Sequence, residues 1–261
     1  MHAHRGRVVL WIVVAGLCSL RAGALDTNIW IGTSDPNWNQ PTNWSLGHVP
    51  LTNECAAFPQ AATARTINMP NDAVACKLDI SATSGSSYSF TNVNGKLTIY
   101  RHPEVPYCQI NVLGTASFAT YIGCEIRSAD NSTIVKTGGA SGSLILWRGA
   151  TNCSPTWGVY GGYGGFQSAT FPNVTSVDCY ALPTLNDARL PYASFSLQNN
   201  MTMYVWSGTN SVGRMAGVGN NAVYLNPGQG TELRITGLST AGRSVFNGTM
   251  NVNGAGTLIF D

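Results

Sequence analysis

Charge is scarce in this chain. Asp, Glu, Lys and Arg make up 10% of its 261 residues, against about 25% in ordinary soluble domains. Fourteen basic residues stand against twelve acidic ones, too even a balance for the basic surface that nucleic acid or an anionic membrane requires. No nucleic-acid partner is expected. Of four histidines, only His48 and His102 lie beyond residue 24, too far apart for a local metal motif. The lack of any Cys-x-x-Cys removes the zinc knuckle and the dithiol redox motif. Gly-x-Ser-x-Gly, the P-loop, the Rossmann fingerprint, the EF-hand loop and the Gly-Gly-x-Gly-x-Asp calcium repeat are also missing. Gly161-Gly-Tyr-Gly-Gly165 is glycine-rich but has no following lysine or helix to hold a phosphate. The acids are scattered, with none at i, i+2, whereas glycoside hydrolysis needs two carboxyls facing one bond. No catalytic residue, metal or cofactor is therefore expected.

Amphipathic helices are lacking too, because Gly and Asn recur every few residues and break them. Apolar residues come instead in short alternating runs: Tyr88-Ser-Phe90, Leu97-Thr-Ile99, Met201-Thr-Met203-Tyr-Val205, Val223-Tyr-Leu225, Leu233-Arg-Ile235 and Leu258-Ile-Phe260. Period two marks half-buried strands. Residues 223–235 and 250–260 share a plan: a strand, an Asn/Gly turn, Gly-Thr, another strand. Leu233 and Leu258 are 25 positions apart. A period in the twenties fits one coil of a β-solenoid. A β-sandwich of short hairpins is the alternative, since Asn-Gly turns serve it equally well.

The first 24 residues read as a signal peptide. Arg5 and Arg7 give the basic start, Val8 to Leu20 the apolar run, and Ala22-Gly23-Ala24 the cleavage site. The run is shorter than the roughly 20 residues a membrane span needs. The mature chain is expected to begin at Leu25, secreted or at the cell surface, without a transmembrane segment. Arg5, Arg7 and Arg21 leave with the signal, so 11 basic groups remain against 12 acidic ones. Six cysteines remain: Cys55, Cys76, Cys108, Cys124, Cys153 and Cys179. An even number in an oxidising compartment makes up to three disulfides the expectation, with connectivity open.

Residues 25–60 are set apart by tryptophan: Trp30, Trp38 and Trp44 fall within 15 positions. Such rings can close the exposed end of a stack of coils, or stack on sugars. Residues 61–261 form the β-solenoid region. The tryptophan segment resembles the start of bacterial secreted proteins with autotransporter-associated β-strand repeats, through Trp30, Gly32, Trp38, Asn43, Trp44, Ser45, Gly47 and Pro50. The Gly-x-Gly-Thr runs leading into Leu233 and Leu258 are similar to that repeat. The resemblance implies a right-handed parallel β-helix, displayed on or released from the cell, with no defined chemistry. The six cysteines depart from that family. So does the lack of a membrane-barrel pattern, which points to a fragment or to a chain that does not export itself.

Trp157, Tyr160, Tyr163 and Phe166 sit among glycines, which leave rings little cover. They are the candidate carbohydrate-binding residues, although a loop with its rings turned inward would give the same pattern. Six Asn-x-Ser/Thr sequons begin at Asn43, Asn131, Asn152, Asn173, Asn200 and Asn247. The expected function is a non-enzymatic structural or adhesin-like module whose partners are extracellular glycans or cell-surface components. The alternative is a carbohydrate-binding or carbohydrate-active lyase or hydrolase on the same scaffold.

Overall fold

In a computed structural model the chain is all-β, and among the described residues every pairing between strands is parallel. The structure describes residues 25–32, 35–60, 62, 65–81, 88–92, 94–101, 108–113, 119–129, 134–137, 144–148, 156–159, 163–167, 170–171, 173–180, 182–198, 200–226, 230–239, 245–247 and 250–261. The signal segment 1–24, His102, Asn131, Asn152, Cys153 and Tyr160 lie outside them.

The chain visits its sheets in rotation. After β1 (Asp26–Ile29) and the tryptophan segment come β2 (Glu54–Phe58), β3 (Thr66–Met69) and β4 (Ala73–Ala75), in three different sheets. Next, β5 (Lys77–Ser81), β6 (Ser89–Asn92) and β7 (Lys96–Ile99) pair with β2, β3 and β4 in turn. β8 (Cys108–Leu113), β9 (Ala119–Ile122) and β10 (Glu125–Ser128) form a further layer. Above it the chain alternates between two sheets: β11 (Ile134–Thr137) and β12 (Leu144–Arg148), β13 (Thr156–Val159) and β14 (Tyr163–Gln167), β15 (Ser176–Cys179) and β16 (Leu182–Asn186). Three more strands follow, β17 (Arg189–Leu197), β18 (Thr202–Val205) and β19 (Thr209–Val218), and β17 and β19 are long enough to bend. β20 (Asn221–Leu225), β21 (Glu232–Ile235), β22 (Val245–Asn247), β23 (Met250–Gly254) and β24 (Thr257–Phe260) complete the stack. β19 pairs with β21 through Thr209–Val212 and with β22 through Ala216–Val218, so the twelve-stranded sheet forks there.

Hairpin sandwiches join neighbouring strands antiparallel, so the sandwich alternative fails on these pairings. The bend in β17 and β19 shows how a corner is made. The register slips between Leu190 and Ser194. Opposite the slip, a Cβ on Gly213 would lie 2.6 Å from the Pro191 carbonyl oxygen. Only a residue without a side chain lets the two backbones come so close.

The alternating pattern builds the core. Inward positions on successive strands stack into columns, such as Leu190, Val212 and Ile235, all buried. Phe260 continues this column beside Ile235 but is 61% exposed, since β24 is an edge strand of its sheet. Leu233 and Leu258, the repeat partners of the sequence, stand opposite each other. The other half of that repeat is offset: Val223 pairs with Val252, not with Met250.

The disulfide framework expected from the sequence is not present among the described residues. Cys55, Cys76, Cys108, Cys124 and Cys179 are buried thiols. Cys76 and Cys108 each precede one member of the paired Lys77 and Gln109, yet the Cys108 thiol donates to the Ile99 carbonyl at 3.3 Å. Side chains in one column of parallel strands point the same way, which suits stacking better than the crossed geometry of a disulfide.

Candidate ligand-binding surface

The tryptophan segment is a structural unit. Trp30, Trp38 and Trp44 are all buried. Trp44 packs edge-on to Trp30 and Trp38, with ring centroids at 5.2 and 4.8 Å, and all three rings meet Phe58 of β2. The residues around them hold this geometry. Asn43 donates to the carbonyls of Asp35 and Asn37 at 2.8 and 2.9 Å, and Ser45 Oγ accepts from the Ile29 amide at 2.9 Å. A Cβ on Gly32 would lie 2.5 Å from the Trp30 ring. The segment extends two sheets at once: β1 lies on β2, and Asn37 bridges to Asn68 of β3. These rings have no open face for a sugar. Asn43, 5% exposed with its amide donating inward, does not present a glycan acceptor in the folded chain.

The glycine-rich aromatic candidates divide. Trp157 lies on β13 in register with Ile134 and Val177, and Tyr163 on β14 in register with Leu144 and Leu182. Phe166 is a core residue, 1% exposed, with Phe171 at 5.0 Å and Phe195 at 6.5 Å. It cannot stack on a ligand at the surface. It lies in register with Leu185 of β16, which is also buried.

Among the described residues, a thiol, a carboxylate and an amine meet around Asp79. Asp79 of β5 accepts from Asn111 at 2.6 Å, pairs with Lys77 at 2.9 Å and accepts from Cys55 at 3.3 Å. Burial, chiefly, with the Asp79 charge beside it, pushes the Cys55 thiol far up. A thiol so raised and 1% exposed is no nucleophile. Among the described residues, no group of three or more His, Cys, Asp or Glu could hold a metal. A shallow cavity beside Arg214, Ser196 and Gln198 measures about 180 Å³, below the roughly 300 Å³ where small-molecule sites begin. Arg214 there approaches Ser194 Oγ at 3.5 Å.

The aromatic surface lies elsewhere, on the nine-stranded sheet. Met203 and Val205 of β18 are buried, so Tyr204 and Trp206 face outward. Tyr204 stands opposite Tyr224 of β20, with centroids 5.7 Å apart. Trp206 lies 6.0 Å from Tyr204 with its plane turned by 18°, and it is 42% exposed. On the other side of Tyr204 is Thr184, also in register, whose buried hydroxyl has no hydrogen-bond partner. Four successive strands here, β16, β18, β20 and β23, contain no charged residue. The other faces differ. Arg189 pairs with Asp187, Arg234 with Glu232 and Asp261, and Lys77 with Asp79. These four strands therefore present rings and amides where the strands bearing Arg189, Arg234 and Lys77 present ion pairs.

No protein-family model, no curated protein and no solved structure matches the chain. Among the described residues, no helix is long and apolar enough to cross a membrane.

Proposed function

We propose that this chain is an exported, non-enzymatic β-helix module, displayed on or released from a cell surface in an adhesin-like or structural role. The observation that carries the reading is the rotation of the chain through stacked parallel sheets, with a buried tryptophan cluster on the first layer. Stacked coils make long, regular outer faces, which suit extended contact better than enclosed chemistry. A right-handed course is the expected hand, because parallel crossovers on twisted strands are right-handed in nearly all proteins. The resemblance of the Trp30–Pro50 stretch to repeat-bearing secreted proteins points the same way. The cluster of Cys55, Asp79 and Lys77 is closed by burial and charge pairing, which favours a structural role over a lyase or hydrolase.

Export is tested by mass spectrometry of the chain released by the producing cell. The expected N-terminus is Leu25. An intact Met1, or a lipid on Cys18, contradicts it.

A further inference from the structure

We propose that Tyr204, Trp206 and Tyr224 form a binding platform for an uncharged, extended polysaccharide. The inference rests on an extracellular β-helix, and it adds the site and the class of ligand. Three observations select the class. The rings adjoin one another: Tyr224 lies across the strands from Tyr204 at 5.7 Å with its plane tilted by 53°, and Trp206 lies along the chain from Tyr204 at 6.0 Å with its plane turned by 18°. The strand-to-strand step from Tyr204 to Tyr224 is close to the rise of one hexose in an extended β-linked glycan, so two successive sugars can lie over β18 and β20. The apolar C–H face of a pyranose needs a broad aromatic surface that also offers polar edges, and Tyr and Trp supply both at little conformational cost.

The strands under and beside the rings are polar but uncharged, and the Asp187–Arg189 ion pair follows at the end of β16. Asn186, Thr202 and Asn226 flank the rings on the outward positions of β16, β18 and just beyond β20, all half-buried. Asn253 follows Tyr224 in register and is exposed. Amides and hydroxyls hydrogen-bond sugar hydroxyls without demanding charge. A single-stranded nucleic acid also stacks on aromatics, but it needs cations along its backbone, and these four strands contain none. An acidic glycan would lack counter-charges for the same reason. A thin chain crossing the strands, with one sugar per coil, is the occupant that matches both geometry and charge.

The test is affinity electrophoresis of the full chain through gels containing hydroxyethyl cellulose, galactomannan, xyloglucan or laminarin, with polygalacturonate and heparin alongside. Retardation by at least one neutral polymer, unchanged in high salt, is expected. Trp206→Ala and Tyr224→Ala should each weaken it about tenfold or more, while Trp206→Phe keeps most of it. The melting temperatures of Tyr224→Ala and Trp206→Phe should match the parent, so lost binding is not lost folding. Retardation by none of the neutral polymers overturns the proposal. So does equal retardation of the alanine variants, or retardation by the anionic polymers alone. A dimer that dissociates in Trp206→Ala, without retardation, would assign the patch to a second copy and also overturn it. None of these outcomes bears on export, which the mature N-terminus decides separately.

Discussion

The indole N–H of Trp44 donates to the Trp38 carbonyl at 2.7 Å. Both residues are buried, so the bond satisfies two groups that water cannot reach, and it fixes the Trp44 ring across Trp30 and Phe58. Trp44→Ala removes the ring, leaves a cavity and strands the Trp38 carbonyl. A loss of about 3–5 kcal/mol is expected, read as a lower midpoint in urea unfolding. Trp44→Phe should recover part of the packing and none of the hydrogen bond. An unchanged midpoint in Trp44→Ala would mean that the segment is not an integral cap.

The corner at Gly213 gives a second test. A side chain there meets the Pro191 and Tyr192 backbone, which cannot swing aside as a flexible side chain could. Gly213→Ala should cost about 1–3 kcal/mol through overpacking, visible as a lower melting temperature. A neutral effect would show that the β17–β19 corner is looser than these distances.

The five described cysteines should be chemically silent in the native chain. Burial pushes the Cys76 and Cys124 thiols up to about 12 and raises Cys55 and Cys179 further. Little thiolate then forms at mildly alkaline pH. Iodoacetamide should label none of these in the folded protein. After denaturation without reductant it should label Cys55, Cys76, Cys108, Cys124 and Cys179. Protected pairs in the denatured chain would restore the disulfide framework.

Legibility from sequence varied with how local each feature is. Alternation at Leu233-Arg-Ile235 marks a strand directly, and Leu233 and Leu258, 25 positions apart, stand opposite each other on paired strands. The sequence pattern left parallel and antiparallel pairing open, since an Asn/Gly turn can close a hairpin or a corner. Cysteine pairing was not legible, because it depends on which residues share a column and where their thiols point. The aromatic platform was legible in principle. Tyr204 alternates with Met203 and Val205, and Tyr224 with Val223 and Leu225, so both tyrosines oppose the core face. Ring density points instead to residues 157–166, where Phe166 is buried in the core. The two tyrosines are 20 positions apart, and only the parallel pairing of β18 with β20 brings them side by side.

Asp178 on β15 gives a pH-dependent test. Burial raises its carboxyl above the ordinary range, so folding favours the protonated form. Its contribution is fully present below the unfolded carboxyl's pKa and is lost as pH rises through the raised folded value. Asp178→Asn keeps the neutral shape at every pH. Relative to the parent, it should be more stable at neutral pH and equally stable in acid. A variant less stable at neutral pH would show that the ionised carboxylate is held by a partner.

The stacked parallel course is tested most directly by NMR couplings across backbone hydrogen bonds. They are expected from the Thr236 amide to the Val212 carbonyl and from the Asp261 amide to the Ile235 carbonyl, bonds of 2.9 and 3.0 Å. The Asn226 amide should likewise couple to the Val205 carbonyl, at 2.9 Å. Each links one turn of the chain to the turn before it. Couplings between residues 223–225 and 233–235, the two arms that a hairpin would join, would contradict the stacked coil and with it the proposed display of a continuous outer face.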